Sequence, residues 1–163
     1  MSNVVKVASG ETSATQFAVI GKIYEELLTD PVGNTLVRYL RLYKAGAAVA
    51  AGDLVGAATS AVNEMHTTGA AVKAADVFAL KTQVYGVSVA AVASGSYGWC
   101  VCRGVCTVAS EAGPVEGSTL QVGATDGRVD TAATDDTNRS EKNIGVSLSS
   151  VSGNEITAYI NVL

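Results

Sequence analysis

Cysteine is the residue type with the clearest chemical potential in this chain, because all three cysteines fall close together, at Cys100, Cys102 and Cys106. Cysteine thiolates bind zinc and pair as disulfides. Residues two apart on one strand are poorly placed for an unstrained disulfide. A tetrahedral zinc site would need a fourth ligand, and the only histidine, His66, lies in a different region. We therefore expect free thiols that act as small apolar residues, with no metal and no cofactor.

The other residue types that could do chemistry are too sparse to form a site. His66 has no nucleophile motif beside it, and Ser60 and Glu64 are close only in sequence. The glycines around Ser96 lack the phosphate-binding spacing and its following lysine. A calcium loop needs a denser oxygen pattern than the acidic segment supplies with Asp126, Asp130, Asp135 and Asp136. The sequence predicts no catalytic residue, and we expect a protein that is not an enzyme.

Composition favours a protein that buries surface against other subunits. Charged residues are 16% of the 163 residues, well below the roughly 25% of ordinary soluble domains. The net charge is −4, and the densest basic group, Arg38, Arg41 and Lys44, is diluted by tyrosine and leucine. Nucleic-acid binding would need a basic stripe, and a membrane span would need ~18 consecutive apolar residues. We expect neither partner, and the absence of a signal-peptide pattern predicts synthesis in a cytoplasm.

Alternating apolar residues predict a mainly β fold, either an antiparallel barrel or a compact sandwich. The segments 35–43 and 155–163 alternate regularly and are typical of strands. Residues 16–28 fit a strand or a short helix equally well. At most one short helix is expected, near Val62 to Ala79, where alanines are frequent. We expect an extended N-terminal arm at residues 1–15, one β domain at 16–163, and a solvated loop or hairpin tip at 125–142.

Two pairs of similar segments indicate an internal duplication. Residues 44–59 and 113–125 each place a valine and a glycine turn before a short apolar strand. Each is followed about thirty residues later by Gly-Val-Ser, starting at Gly86 and at Gly145. Such repetition is typical of scaffolds built from duplicated β-elements. Convergence of strands in a composition biased toward Ala, Gly and Val is the alternative, and the sequence leaves it open.

Aromatic and basic residues on two predicted strands are the candidates for an interface. Trp99 follows a glycine-containing turn, with Tyr97 two residues before it on the same face. Core packing and an intersubunit contact are both open for this tryptophan. The interface candidates on the two strands are Tyr97, Trp99, Val101, Arg103, Arg38, Tyr39 and Arg41.

Three longer runs resemble small structural proteins of tailed bacteriophages, in particular head decoration or cement proteins. The runs are GVSVAAVASGSYGWCVCRGV, GSTLQVGATDGRV and IGVSLSSVSGNEITAYINV, and the upstream RYLRLYKAGAAVAAGDLV fits the same proteins. The resemblance spans roughly Val37 to Val162. The Cys-x-Cys at Cys100 and Cys102 departs from it, because other strand residues are usual there.

The resemblance implies a non-enzymatic virion protein on the outer surface of an icosahedral head. Such a protein binds the major capsid protein across capsomer junctions and cements them. A homo-oligomer is expected, with a trimer preferred over a dimer because such heads offer many threefold junctions. The alternatives are a head-tail connector, a tail component, or a small carbohydrate-binding β module.

Overall fold

Every named element of the described residues is a β-strand, which confirms the mainly β prediction. The computed structural model describes residues 10–13, 15, 22–57, 70–73, 84–132 and 143–163. The strands are β1 (Ile23–Thr29), β2 (Thr35–Ala45), β3 (Leu54–Ala57), β4 (Ala70–Lys73), β5 (Val84–Ser88), β6 (Tyr97–Ala109), β7 (Thr119–Val122), β8 (Val129–Thr131), β9 (Gly145–Ser147) and β10 (Glu155–Asn161). The described part of the chain contains no helix that is long and apolar enough to cross a membrane.

The strands form one large sheet in the order β1-β2-β4-β3-β5-β6-β10-β9-β7-β8. All of these pairings are antiparallel except β2 with β4. An additional antiparallel pairing joins β2 to β6 and brings distant parts of the sheet together. The ten strands do not form one closed barrel, since the described part of the chain contains no pairing between the end strands β1 and β8. The β2–β6 pairing closes a ring of five of them, β2, β4, β3, β5 and β6.

From β4 to β8 the strand order is symmetric about the β6–β10 pair, and this symmetry supports the predicted duplication. On either side of the central β6–β10 pair lie, in turn, a Gly-Val-Ser strand (β5 or β9), a short apolar strand (β3 or β7) and an outer strand (β4 or β8). The registers also agree. Gly86 lies opposite Val55 as Gly145 lies opposite Leu120. The two glycine-led strands therefore occupy equivalent places in the two halves.

The two glycine turns make equivalent backbone hydrogen bonds. The amide of Gly52 donates to the carbonyl of Ser88, and the amide of Gly117 donates to the carbonyl of Ser147, both at 2.9 Å. The φ angles of Gly52 and Gly117 are 82° and 84°, a region that glycine adopts without strain. Biased composition alone does not predict matching turn geometry and matching partners. The structure therefore favours duplication over convergence.

Side-chain bonds inside these turns repeat as well. The Asp53 carboxylate accepts from the amide of Ala50 at 2.8 Å, and the Ser118 hydroxyl accepts from the amide of Val115 at 3.1 Å. The hydroxyls of the two serines of the Gly-Val-Ser segments each donate to a carbonyl two residues on, at 2.8 Å and 2.6 Å. One short polar side chain thus holds each turn, with Asp in one half and Ser in the other.

Tertiary pairing decides the place of two strands. Ala70–Lys73 lies in the segment where at most one short helix is expected, and it is a strand that pairs with both β2 and β3, because this pairing overrides the weak helix preference of alanine; the rest of 62–79 lies outside the described residues. The C-terminal strand β10 does not lie at the end of the sheet but between β6 and β9. Its alternation is as predicted, with Ile156, Ala158 and Ile160 buried.

The remaining element predictions are partly tested. The ambiguous segment 16–28 overlaps β1, which ends one residue later at Thr29, and the expected loop at 125–142 contains the short strand β8. Most of the predicted N-terminal arm and residues 133–142 lie outside the described residues. Within the arm, Ser13 exchanges two backbone hydrogen bonds with Tyr97, at 3.1 Å and 2.7 Å. This end of the arm therefore extends the sheet at the start of β6.

Candidate interaction surface

The interface candidates divide into buried and exposed groups. Trp99 and Val101 are 3% and 1% exposed, and Arg41 is 8% exposed. Tyr97 and Tyr39 are half-buried, and Arg103 is exposed. The candidates on β6 therefore change from buried, at Trp99 and Val101, to exposed, at Arg103. An interface role for these residues stays a prediction, and the exposed end of the group is where this chain could offer a contact.

Trp99 packs within the subunit. Its ring meets that of Tyr24 edge to face, with centroids 5.1 Å apart and planes at 77°. The same apolar cluster contains Leu40, Leu42 and Val101. An edge-to-face pair of this kind stabilises a core beyond the area it buries. The core alternative for Trp99 is therefore the one that the geometry favours.

Arg38, another candidate, is neutralised inside the fold. Its Nε donates to a carboxylate oxygen of Glu26, across the β1–β2 pair. The side chains of Arg38 and Glu26 are only 14% and 10% exposed. A pair held this far from water contributes rigidity to the β1–β2 hairpin, and its charges are already matched.

Arg103 is held in place and exposed. It lies on β6 opposite Tyr39 of β2 and Asn161 of β10. Its Nε donates to the hydroxyl of Tyr159 at 3.1 Å, and its guanidinium lies 5.8 Å from the centroid of the Tyr39 ring. The hydrogen bond to Tyr159 raises the pKa of Arg103. The group is therefore a permanent cation whose orientation is fixed by two tyrosines.

Sequence reasoning named Tyr39 and Arg103 but missed Tyr159. The alternation of β10 placed Tyr159 on the polar face of its strand, which was the available signal. What joins it to Arg103 is the β6–β10 register, in which Tyr159 lies opposite Val105. That register is a long-range property of the sheet.

The three cysteines are thiols, and burial raises the pKa of each. Cys100 and Cys102 are fully buried, and their sulfurs lie 3.4 Å and 3.1 Å from the carbonyl oxygens of Arg41 and Tyr39. Cys106 is half-buried, and its pKa is raised to about 12. A thiol with such a pKa is neutral at pH 7 and is a poor nucleophile and a poor metal ligand.

The described part of the chain contains no cluster of histidine, cysteine or acidic residues that could hold a metal ion. His66, Ser60 and Glu64, and the calcium candidates Asp135 and Asp136, lie outside the described residues. A cavity of about 210 Å³ lies beside Cys106 and is lined by Arg38 and Ser88 among others. The Ser88 hydroxyl is already engaged with Tyr43 and with the carbonyl of Ala90.

The chain is similar in fold to a solved phage protein. No protein-family model matches the sequence. No curated protein sequence matches it. Among solved structures, it is similar to the N base of the head fibre protein gp8.5 of bacteriophage phi29, with a TM-score of 0.52 and 19% sequence identity. The match covers 76% of this chain and 93% of the phage protein fragment. At this identity, the likeness is one of fold.

Proposed function

We propose that this chain is a structural protein of a phage head that decorates the outer surface and cements the capsomers. The observation that carries the proposal is the fold shared with the base of a phage head fibre, over 93% of that base. The runs that resemble decoration proteins support the same assignment. A head protein of this kind acts by binding surfaces and has no reaction to catalyse.

The surface of the described residues is consistent with such a role. Large apolar side chains are exposed on several elements, among them Val32 at 84%, Leu27 at 58% and Val115 at 58%. Such side chains indicate a binding surface where they form a contiguous patch. The partners of the proposed protein are the major capsid protein and further copies of the chain itself, as a homotrimer.

Quantitative mass spectrometry of purified phage particles tests the proposal. We expect the protein at a copy number comparable to that of the major capsid protein, because a cement protein occupies repeated junctions over the whole head. Immunogold labelling of intact heads should then place it on the outside. A handful of copies per particle would instead favour a connector or tail component, and absence from particles would contradict any virion role.

A further inference from the structure

One face of the sheet carries a band of exposed residues that spans five strands. The cross-strand pairs Leu27–Val37, Tyr39–Arg103, Val105–Tyr159 and Tyr159–Val146 place these residues on the same face of β1, β2, β6, β10 and β9. We call this band the Arg103 face. Neighbouring strands lie about 4.8 Å apart, so five strands span roughly 20 Å.

The Arg103 face exposes apolar side chains beside polar ones, which include Glu25 opposite Tyr39 and Asn161 opposite Arg103. Leu27 is 58% exposed, Val37 44%, Val146 38% and Tyr159 37%. On a strand that faces water, polar residues are usual at such positions, and the apolar ones belong on the opposite face. Here the opposite face of β10 is apolar too, because Ile156 and Ile160 are in the core. That face is already covered within the subunit, so the apolar side chains still open to a partner in this part of the sheet are those of the Arg103 face.

Arg103 supplies the exposed positive charge of this band. Its described contacts are the hydroxyl of Tyr159 and the ring of Tyr39, and both leave the guanidinium exposed. Neither contact neutralises a positive charge. The terminal nitrogens of a guanidinium match the two oxygens of a carboxylate, and this pairing is the strongest that arginine makes with a protein group. The complementary group on a partner is therefore a carboxylate.

The arrangement matches the centre of a protein–protein interface. Tyrosine and arginine are the residues most often enriched there, and less polar neighbours keep water away from them. Both tyrosines position the arginine before binding, so little side-chain entropy is lost when a partner arrives.

We infer that the Arg103 face is the surface with which this protein docks on the capsid, and that it receives an Asp or Glu carboxylate set among apolar side chains of the capsid protein. This inference rests on the proposed function. It adds which face makes the contact and which chemistry the partner must supply.

The test is binding of the full-length chain to purified heads that lack this protein, measured by co-sedimentation. Arg103→Gln removes the charge and should weaken binding at least tenfold, as expected when one member of a buried ion pair is lost. Arg103→Lys keeps the charge but not the paired geometry, and should fall between Arg103→Gln and the wild type. Arg128→Gln is the matched control, because Arg128 precedes β8 and lies outside the Arg103 face; it should change binding by less than twofold.

The outcomes distinguish failure of the docking face from failure of the proposed head role. If Arg103→Gln binds heads as tightly as the wild type does, the docking face is wrong and the proposed head role still stands. Failure of the wild type to bind heads would overturn both. Loss of self-association in Arg103→Gln during sedimentation would assign the face to a second copy, and Arg103-dependent binding to acidic glycans with head binding intact would assign it to a sugar. Either result would overturn the inference.

Unfolding measurements keep the result interpretable. The Arg103 side chain is exposed, so both variants should have the same urea midpoint as the wild type. If Arg103→Gln had a lower urea midpoint, Arg103→Lys would decide. Binding by Arg103→Lys equal to that of the wild type would contradict the paired geometry.

Discussion

Gly86 and Gly145 lie at equivalent positions in the two halves, and each brings a strand backbone against a central strand. A Cβ at Gly86 would collide with the carbonyl oxygen of Val101, and one at Gly145 would collide with the carbonyl oxygen of Tyr159. Val101 and Tyr159 are themselves equivalent residues of β6 and β10. At these two positions the two halves therefore agree even in the individual backbone atoms that lie closest to the glycine.

Gly86→Ala and Gly145→Ala should each destabilise the fold. The obstructing atoms belong to the backbone and cannot rotate away, so we expect the free energy of unfolding to fall by roughly 1–3 kcal/mol. Gly86→Ala should be the more harmful, since its φ of 150° also disfavours a side chain. Urea denaturation measures the change.

Gly10→Ala is the control for these two substitutions, because a Cβ at Gly10 meets nothing within 4 Å. Its urea midpoint should stay at the wild-type value. Wild-type stability in both Gly86→Ala and Gly145→Ala would refute the close approach of the strands.

Cys106 should make stability fall at alkaline pH. Burial raises the pKa of its thiol to about 12 in the folded chain, whereas an unfolded cysteine ionises near 8.5. The contribution of the neutral thiol is therefore complete below about pH 8.5 and is lost as pH rises toward 12. Between pH 8 and pH 10 the free energy of unfolding should drop more in the wild type than in Cys106→Ala, by up to about 2 kcal/mol.

Urea titrations under reducing conditions at the two pH values measure this difference. Lysines and tyrosines that titrate in the same range are common to both chains and cancel in the comparison. Parallel pH dependence in the wild type and in Cys106→Ala would show that this thiol is not the source.

At the scale of elements, the two glycine turns use different residues for the same bond. Asp53 accepts from the amide of Ala50, and Ser118 accepts from the amide of Val115. The serine Oγ is bonded directly to Cβ, and the aspartate Oδ lies one atom further along the side chain. Both oxygens can therefore reach an amide three residues back. This is the ordinary chemistry of short polar residues at turns.

The equivalence predicts that a serine can serve at position 53. Asp53→Ala should lower the free energy of unfolding by about 0.5–1.5 kcal/mol, since it removes a hydrogen bond from a buried turn. Asp53→Ser should lose clearly less, because Ser118 makes the same bond in the other half. Thermal or urea unfolding of the two variants, beside Ser118→Ala, measures the order. Equal losses in Asp53→Ser and Asp53→Ala would contradict the equivalence.

At the scale of the whole molecule, low charge content and exposed apolar side chains point to self-association. Charged residues are 16% of the chain, and Val32 and Val115, which are not part of the Arg103 face, are both more than half exposed. In a cyclic trimer each subunit can cover two different surfaces of its neighbours. The homotrimer is a proposal that an assembly measurement can decide.

Sedimentation equilibrium at micromolar concentration should give the mass of an oligomer, with three times the 16.5 kDa of one chain preferred. Apolar contacts should make this mass insensitive to added salt, because screening weakens charge pairs but not apolar burial. A monomer at micromolar concentration would contradict the oligomer, and dissociation by salt alone would contradict its apolar nature.

Local sequence determined much of this protein. Alternation over residues 35–43 and 155–163 predicted β2 and β10, because each strand exposes one face and buries the other. The paired glycine turns and Gly-Val-Ser segments predicted the duplication, because each turn depends on a few adjacent residues. The low charge content is likewise a property of composition alone, and the binding role expected from it stays a prediction.

The tertiary structure alone decided which strands are neighbours. It placed β10 in the middle of the sheet, turned Ala70–Lys73 into a strand, and buried Trp99 against Tyr24. It also brought Tyr39, Arg103 and Tyr159 together from three strands. Pairing between strands far apart in sequence depends on the packing of the entire sheet, and no local pattern encodes it.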